Sequence, residues 1–133
     1  VYKRLYNAHD QREVDLVYNE LRDRFGALPH EAEELLYAVR LRIAALPTGV
    51  VRVNVRGGRM IVELPPDSDK RWYDMVFKRM LEAITTIPNT RFVQNGKRLL
   101  IETQLGRRDD AITTLERLAT ATLAPYQSEE DMA

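Results

Sequence analysis

The 133-residue chain contains no cysteine. That excludes disulfides, thiolate chemistry and every zinc site built on cysteine. Histidine is nearly as scarce: the only two are His9 and His30. Each stands beside a helix start among acidic neighbours, and no further ligands at helical or hairpin spacing join them. Both are expected at the surface, and no metal site is expected. No serine lies in a nucleophile-elbow pattern, so His9-Asp10 does not read as part of a hydrolase triad. No apolar run approaches the ~20 residues that would span a bilayer. Neither sign of charge is in excess, since 20 Lys and Arg stand against 20 Asp and Glu. A dedicated nucleic-acid binder is usually basic, so that reading loses weight. The chain does not open on methionine and no signal peptide precedes the fold, so a cytoplasmic fragment of a longer protein is the expectation.

What is present is the profile of a globular protein, 44% hydrophobic and 30% charged, long enough for one domain with its own core. The stretch Asn19-Glu20-Leu21-Arg22-Asp23-Arg24-Phe25-Gly26-Ala27-Leu28-Pro29 organises its first part. Val14, Val17, Leu21 and Phe25 fall at helical spacing and form one inward stripe. Gly26 stands where a helix end favours positive φ, and Pro29 fits the first turn of the next helix. Glu20 and Asp23 share the opposite face.

Before this hairpin, Tyr2 to Tyr6 forms a short helical turn anchored by Leu5 and Tyr6. Asp10 is a candidate N-cap, with Glu13 in the capping-box position. After the hairpin, a third helix carries Ala32, Leu35, Leu36, Val39, Ile43 and Leu46 on one face, and Pro47 and Gly49 stop it.

Beyond Gly49 the period changes to two. Val51, Val53 and Val55 alternate with polar residues, Gly57-Gly58 makes a two-residue turn, and Met60 to Leu64 returns as the partner strand. A helix follows with Trp72, Met75, Val76, Met80, Ala83 and Ile84 on one side. Then the pattern repeats. Arg91-Phe92-Val93 is a strand, Asn95-Gly96 a type I′ turn signal, and Leu99-Leu100-Ile101 the partner. The last helix carries Ile112, Leu115, Leu118, Ala119 and Thr122 and stops at Pro125. Arg59-Met60-Ile61-Val62-Glu63 and Arg98-Leu99-Leu100-Ile101-Glu102 match in pattern at an offset of 39 residues. The fold class is therefore α+β: an amino-terminal helical hairpin, then a ββα-ββα duplication in one small antiparallel or mixed sheet with helices packed on it. The helical part is read as 1–48, the ββα-ββα part as 49–126, and 127–133 as a flexible acidic tail.

Three groups are candidate sites. Arg56-Gly57-Gly58-Arg59 could bind phosphate or RNA, yet it lacks a P-loop pattern, and the flanking strands demand a turn there. Lys70, Arg71, Lys78 and Arg79 interleave with Trp72 and Tyr73, a composition that can stack bases, but Trp72 lies in phase with the apolar stripe. Glu20 and Asp23 either form local ion pairs with Arg22 and Arg24 or offer a docking face to a basic partner. Nothing nearby perturbs them toward acid–base work, and no catalytic residue emerges.

Three segments in this order resemble one family: Tyr2-Lys3-Arg4-Leu5, then Glu20-Leu21-Arg22-Asp23-Arg24-Phe25-Gly26-Ala27-Leu28-Pro29, then Leu35-Leu36 followed by Arg40-Leu41-Arg42. They are similar to the LYKR-like opening, the ELxDRFGxLP signature and the LLxxARLR helix of the carboxy-terminal (TRCF) domain of bacterial transcription-repair coupling factors, the Mfd family. The resemblance implies a single carboxy-terminal regulatory domain over 1–126. The whole protein of that family is an ATP-dependent DNA translocase that displaces stalled RNA polymerase and recruits UvrA. Its motor lies upstream, so this stretch is expected to be no enzyme and to hold no cofactor. The resemblance further implies that the domain packs on an amino-terminal UvrB-like module and masks the UvrA-binding surface. By position, Glu20 and Asp23 are the implied interdomain contact, and Phe25, Gly26 and Pro29 the turn that presents it. Arg56, Arg59, Lys70 and Arg71 carry the alternative, a nucleic-acid-binding accessory module. One departure from the family pattern is Leu46-Pro47-Thr48-Gly49, which replaces a Leu-Gly-Ile-like helix end.

Overall fold

The computed structural model describes residues 2–132, with side chains described from Lys3 to Thr122. The helix expected to stop at Pro125 instead runs on to Met132, because a proline removes a single backbone donor and the turns on either side of it stay helical. The side chains of the acidic tail expected over 127–133 lie outside the described residues. The chain divides into two compact units, Val1–Ile43 and Ala44–Ala133.

The first unit holds α1 (Tyr2–Tyr6), α2 (Gln11–Phe25) and most of α3 (His30–Ala45). Asp10 caps α2, its Oδ1 accepting from the Glu13 amide at 2.8 Å. Glu13 Oε2 reaches back to the His9 amide at 3.1 Å, one residue before the cap. Orphan amides at the helix start are thereby satisfied. Leu5, Ala8, Val14, Val17, Leu21, Leu36, Val39 and Ile43 form the core, with Tyr18, Leu28 and Leu35 packed against it. Arg40 ties α3 to α2: its Nη2 donates to Asp15 Oδ1 at 2.6 Å and its Nη1 to Gln11 Oε1 at 3.2 Å. Gln11 Nε2 donates in turn to the Arg40 carbonyl at 2.9 Å. Arg42 Nη2 donates to the Ala8 carbonyl at 3.1 Å. The arginines of the Arg40-Leu41-Arg42 segment are therefore structural ties.

Two anchors expected in this unit point outward. Tyr6 is exposed, and Phe25 is 64% exposed. The stripe on α2 ends at Leu21, because Phe25 is the last helical residue at the closed end of the hairpin. Only the short turn 26–29 lies opposite it, and of that turn Leu28 packs into the core. Gly26 takes φ 75°, as expected of a glycine stop. Pro29 stands just before α3, with its carbonyl accepting from the Glu33 amide at 3.1 Å.

The second unit opens with the tight turn Leu46–Thr48. Leu46 is exposed, because α3 ends at Ala45 and the helical face goes no further. The buried Thr48 donates its hydroxyl to the Ala45 carbonyl at 2.6 Å. Its own carbonyl accepts from Trp72 Nε1 at 2.8 Å. Gly49 follows at φ 77°, where an added Cβ would stand 2.8 Å from the Trp72 ring. Glycine is required there twice over, by backbone and by space.

Four strands, β1 (Arg52–Arg56), β2 (Arg59–Glu63), β3 (Thr90–Asn95) and β4 (Arg98–Gln104), form one fully antiparallel sheet in the order β1-β2-β4-β3. Gly57 and Gly58 both take positive φ, as a type I′ turn needs. In the second hairpin Asn95 pairs with Arg98, so the two central residues are Gly96 and Lys97, and only Gly96 has positive φ. This corrects the Asn95-Gly96 reading: the turn is of the II′ kind, shifted by one residue.

Between the hairpins run α4 (Lys70–Trp72), a π-helical turn (Tyr73–Phe77) and α5 (Lys78–Thr85); α6 (Asp110–Met132) follows β4. The buried faces are Met60, Val62, Leu64, Ile101 and Thr103 from the sheet, Trp72, Val76, Met80 and Ile84 from the first helical segment, and Ala111, Leu115, Leu118 and Thr122 from α6. The 39-residue repeat orders this core. Val62 pairs with Ile101, its own repeat mate, so a local pseudo-dyad passes through that pair.

Candidate functional site

The signature segment lies on α2 and the turn after it. Helical spacing puts Leu16, Glu20 and Asp23 on one outward strip. Leu16 is exposed. A shallow pocket of about 490 Å³ is lined by Arg4, Val17, Glu20, Leu21, Asp23 and Arg24. A second, of about 370 Å³, adjoins Lys3, Arg4, Asn7, Glu13, Leu16 and Val17.

Glu20 is not paired with Arg22 or Arg24. Its partner is Arg4 of α1, sixteen residues away, whose guanidinium grips both carboxylate oxygens; the longer of the two contacts is Nη2 to Oε1 at 3.4 Å. This hydrogen bond, then the charge of Arg4, holds the Glu20 carboxyl below the usual carboxylate range, with a minor push from Arg24. Both side chains remain about 60% exposed. Arg22 instead lies over the Tyr18 ring at 5.8 Å. Asp23 forms no ion pair among the described residues. The arrangement suits exchange of one basic partner for another, and it contains no buried acid or base for proton transfer.

The structure separates the four basic candidates. Arg56 and Arg59 are cross-strand partners on either side of Gly57-Gly58. Lys70 and Arg71 belong to α4, which Asp69 caps through the Trp72 amide at 3.2 Å. Trp72 between these groups is buried and spends its N–H on Thr48, so no base can stack on it. Tyr73 likewise spends its hydroxyl on the Pro65 carbonyl at 2.7 Å.

Two features escaped sequence reasoning. Arg4 gave no local signal, because its partner lies in another helix. The outer sheet face carries two carboxylates, Glu63 and Glu102, each set between two arginines; the 39-residue offset was the signal that could have revealed it. Among the described residues no helix is long and apolar enough to cross a membrane.

A family model described as TRCF domain matches residues 1–75. The transcription-repair-coupling factor of Mycobacterium tuberculosis (strain CDC 1551 / Oshkosh) is 35% identical over 97 residues, covering 68% of this chain and 8% of that protein. That of Haemophilus influenzae (strain ATCC 51907 / DSM 11121 / KW20 / Rd) is 42% identical over 53 residues, covering 40% of this chain and 5% of that protein. The matched stretches thus span less than a tenth of the length of these relatives. A crystal structure of the C-terminal domain of transcription-repair coupling factor shares the fold, with a TM-score of 0.64 and 16% identity over 99% of this chain and 80% of that one. The chain belongs to the TRCF domain family, the C-terminal domain of transcription-repair-coupling factors.

Proposed function

We propose that this chain is a non-catalytic regulatory domain that acts as an autoinhibitory clamp. Its α2 face covers an amino-terminal UvrB-like module of the same protein and masks the surface that would take UvrA. RNA polymerase and DNA are reached only through the rest of that protein. One observation carries the reading. In the segment that bears the family signature, two carboxylates stand exposed on a rigid helix, one gripped by a single arginine and one without an ion pair among the described residues. Exposed ion pairs are worth ~0–1 kcal/mol each. A contact built from them can be outcompeted, which suits a switch between states separated by only a few kcal/mol.

The test is Glu20→Lys with Asp23→Lys in the full-length protein. UvrA binding rises if these carboxylates hold the clamp closed. Binding equal to the unsubstituted protein would falsify the assignment.

A second reading, a nucleic-acid-binding accessory module, rests on the exposed pair Arg56 and Arg59 at the first hairpin tip. Under that reading DNA affinity of the 133-residue chain falls steeply with salt. Absence of binding at low salt removes it.

A further inference from the structure

The outer face of the sheet has its own organisation. Strand register puts Arg52, Asn54 and Arg56 of β1, Arg59, Ile61 and Glu63 of β2, Arg98, Leu100 and Glu102 of β4, and Arg91 and Val93 of β3 on that one face. Arg98 Nε donates to Glu63 Oε1 at 2.7 Å, and Arg52 Nε lies 3.9 Å from Oε2. Glu102 repeats the pattern, with Arg59 Nη1 at 3.5 Å and Arg91 Nη2 at 3.4 Å. The 39-residue offset relates Arg52 to Arg91, Arg59 to Arg98, Ile61 to Leu100 and Glu63 to Glu102. Two quasi-equivalent triads of one carboxylate and two guanidiniums therefore face outward around a half-buried apolar centre of Ile61, Leu100 and Val93.

Cross-strand ion pairing explains part of this, at ~0.2–1 kcal/mol per pair. It does not use the excess of five arginines over two carboxylates, in a chain whose formal net charge is zero. The side chains of Arg52 and Arg91 are 71% and 72% exposed, so most of their donors face water. Ion pairing to the carboxylates restrains the guanidiniums, most firmly that of Arg98 at 2.7 Å from Glu63, which lowers the ordering cost of a further contact.

We infer that this face binds an acidic amphipathic segment of a protein partner, which sets its apolar residues on Ile61, Leu100 and Val93 and its carboxylates against Arg52, Arg59, Arg91 and Arg98. An apolar centre inside a charged rim is the anatomy of a protein interface. A nucleic acid fits less well: two carboxylates stand mid-face where phosphates would pass, and the face carries no aromatic ring to stack a base. A second copy of the same cationic face would repel the first. The inference is independent of the α2 clamp.

The experiment uses the 133-residue chain and a synthetic helix with leucines on one side and glutamates on the other. Binding is read by anisotropy and by methyl shifts of Ile61, Val93 and Leu100. The helix shifts those methyls, and its affinity falls about tenfold in Arg52→Gln/Arg91→Gln, the loss of one charge-assisted contact in each triad. That variant leaves each carboxylate one arginine, so the sheet keeps its pairing. Leu100→Thr, which preserves strand preference, weakens binding without changing its salt dependence. The inference is overturned if the helix does not bind, or if its affinity is the same in the double variant. It is equally overturned if oligo-dT binds this face more tightly, or if self-association covers the methyls.

Discussion

At the scale of single residues, Arg4 and Glu20 decide how the α2 face presents itself. The grip of Arg4 depresses the Glu20 carboxyl in the folded chain. A depressed carboxyl contributes stability that is present above its unfolded value and is lost as pH falls through the folded value. Arg4→Gln should therefore be less stable than the parent at neutral pH, and the gap should close on acidification. High salt should narrow it too, because both groups are exposed. Urea midpoints across the acid range check this; a gap that persists unchanged below the carboxylate range means that Arg4 acts through packing. Some single-residue behaviour was legible in the sequence. Gly26 and the Gly57-Gly58 pair were placed by the local need for positive φ, which no neighbour can override. The Arg4–Glu20 pair was not legible, because it joins two helices and leaves no periodic trace. Phe25 misled for a related reason: phase along a helix tells which way a residue points, not whether anything stands opposite it.

At the scale of elements, the two ββα halves solve one packing problem with different helices. Buried positions in α6 fall at Ala111, Thr114, Leu115, Leu118, Ala119 and Thr122, the i, i+3, i+4 spacing of an α-helix. In the other half they fall at Trp72, Val76, Met80 and Ile84, always four apart. A straight α-helix would drift about 40° per step at that spacing, since 3.6 residues make a turn. The π turn over Tyr73–Phe77 absorbs one extra residue and brings the stripe back in line. It also gathers an aromatic group, with Tyr73 and Phe77 at 5.0 Å and Phe77 and Phe92 at 5.8 Å between ring centres. Deleting the exposed Asp74 should convert the π turn to α-helix and be tolerated. Deleting Glu82 in α5 should rotate Ile84 out of the core and cost about 2 kcal/mol more. Thermal melts of the two deletions compare them directly, and equal losses would mean that the π turn is not the surplus residue. The first hairpin was legible from alternation, and the repeat from turn signals and the matched Arg59–Glu63 and Arg98–Glu102 patterns. The π turn was not, because four-residue spacing does not say which turn widens. The II′ turn at Gly96-Lys97 was missed because Asn-Gly is a signal for either of two registers, and pairing of Asn95 with Arg98 decides between them.

At the scale of the whole molecule, each unit carries its own core, and that has a measurable consequence. Leu5 is fully buried in the first unit, within a cluster drawn from α1, α2 and α3. The centre of the second unit is the β2–β4 ladder, where Val62 and Ile101 pair and both are fully buried. Truncating a buried leucine to alanine costs about 2–5 kcal/mol, the lost transfer energy plus the cavity left behind. Where a core is confined to one unit, that cost falls on the opening of that unit's helices before it reaches the sheet of the other. Leu5→Ala should therefore speed amide exchange throughout α2 and α3 up to Ile43, while the amides of Val62 and Ile101 keep their protection. Ile101→Ala should do the reverse. The same pair of variants separates the two proposed surfaces, since the α2 carboxylates belong to the first unit and the arginine-framed sheet face to the second. Uniform acceleration in both variants would show one cooperative unit, and a partner bound at either surface would then stabilise the whole chain.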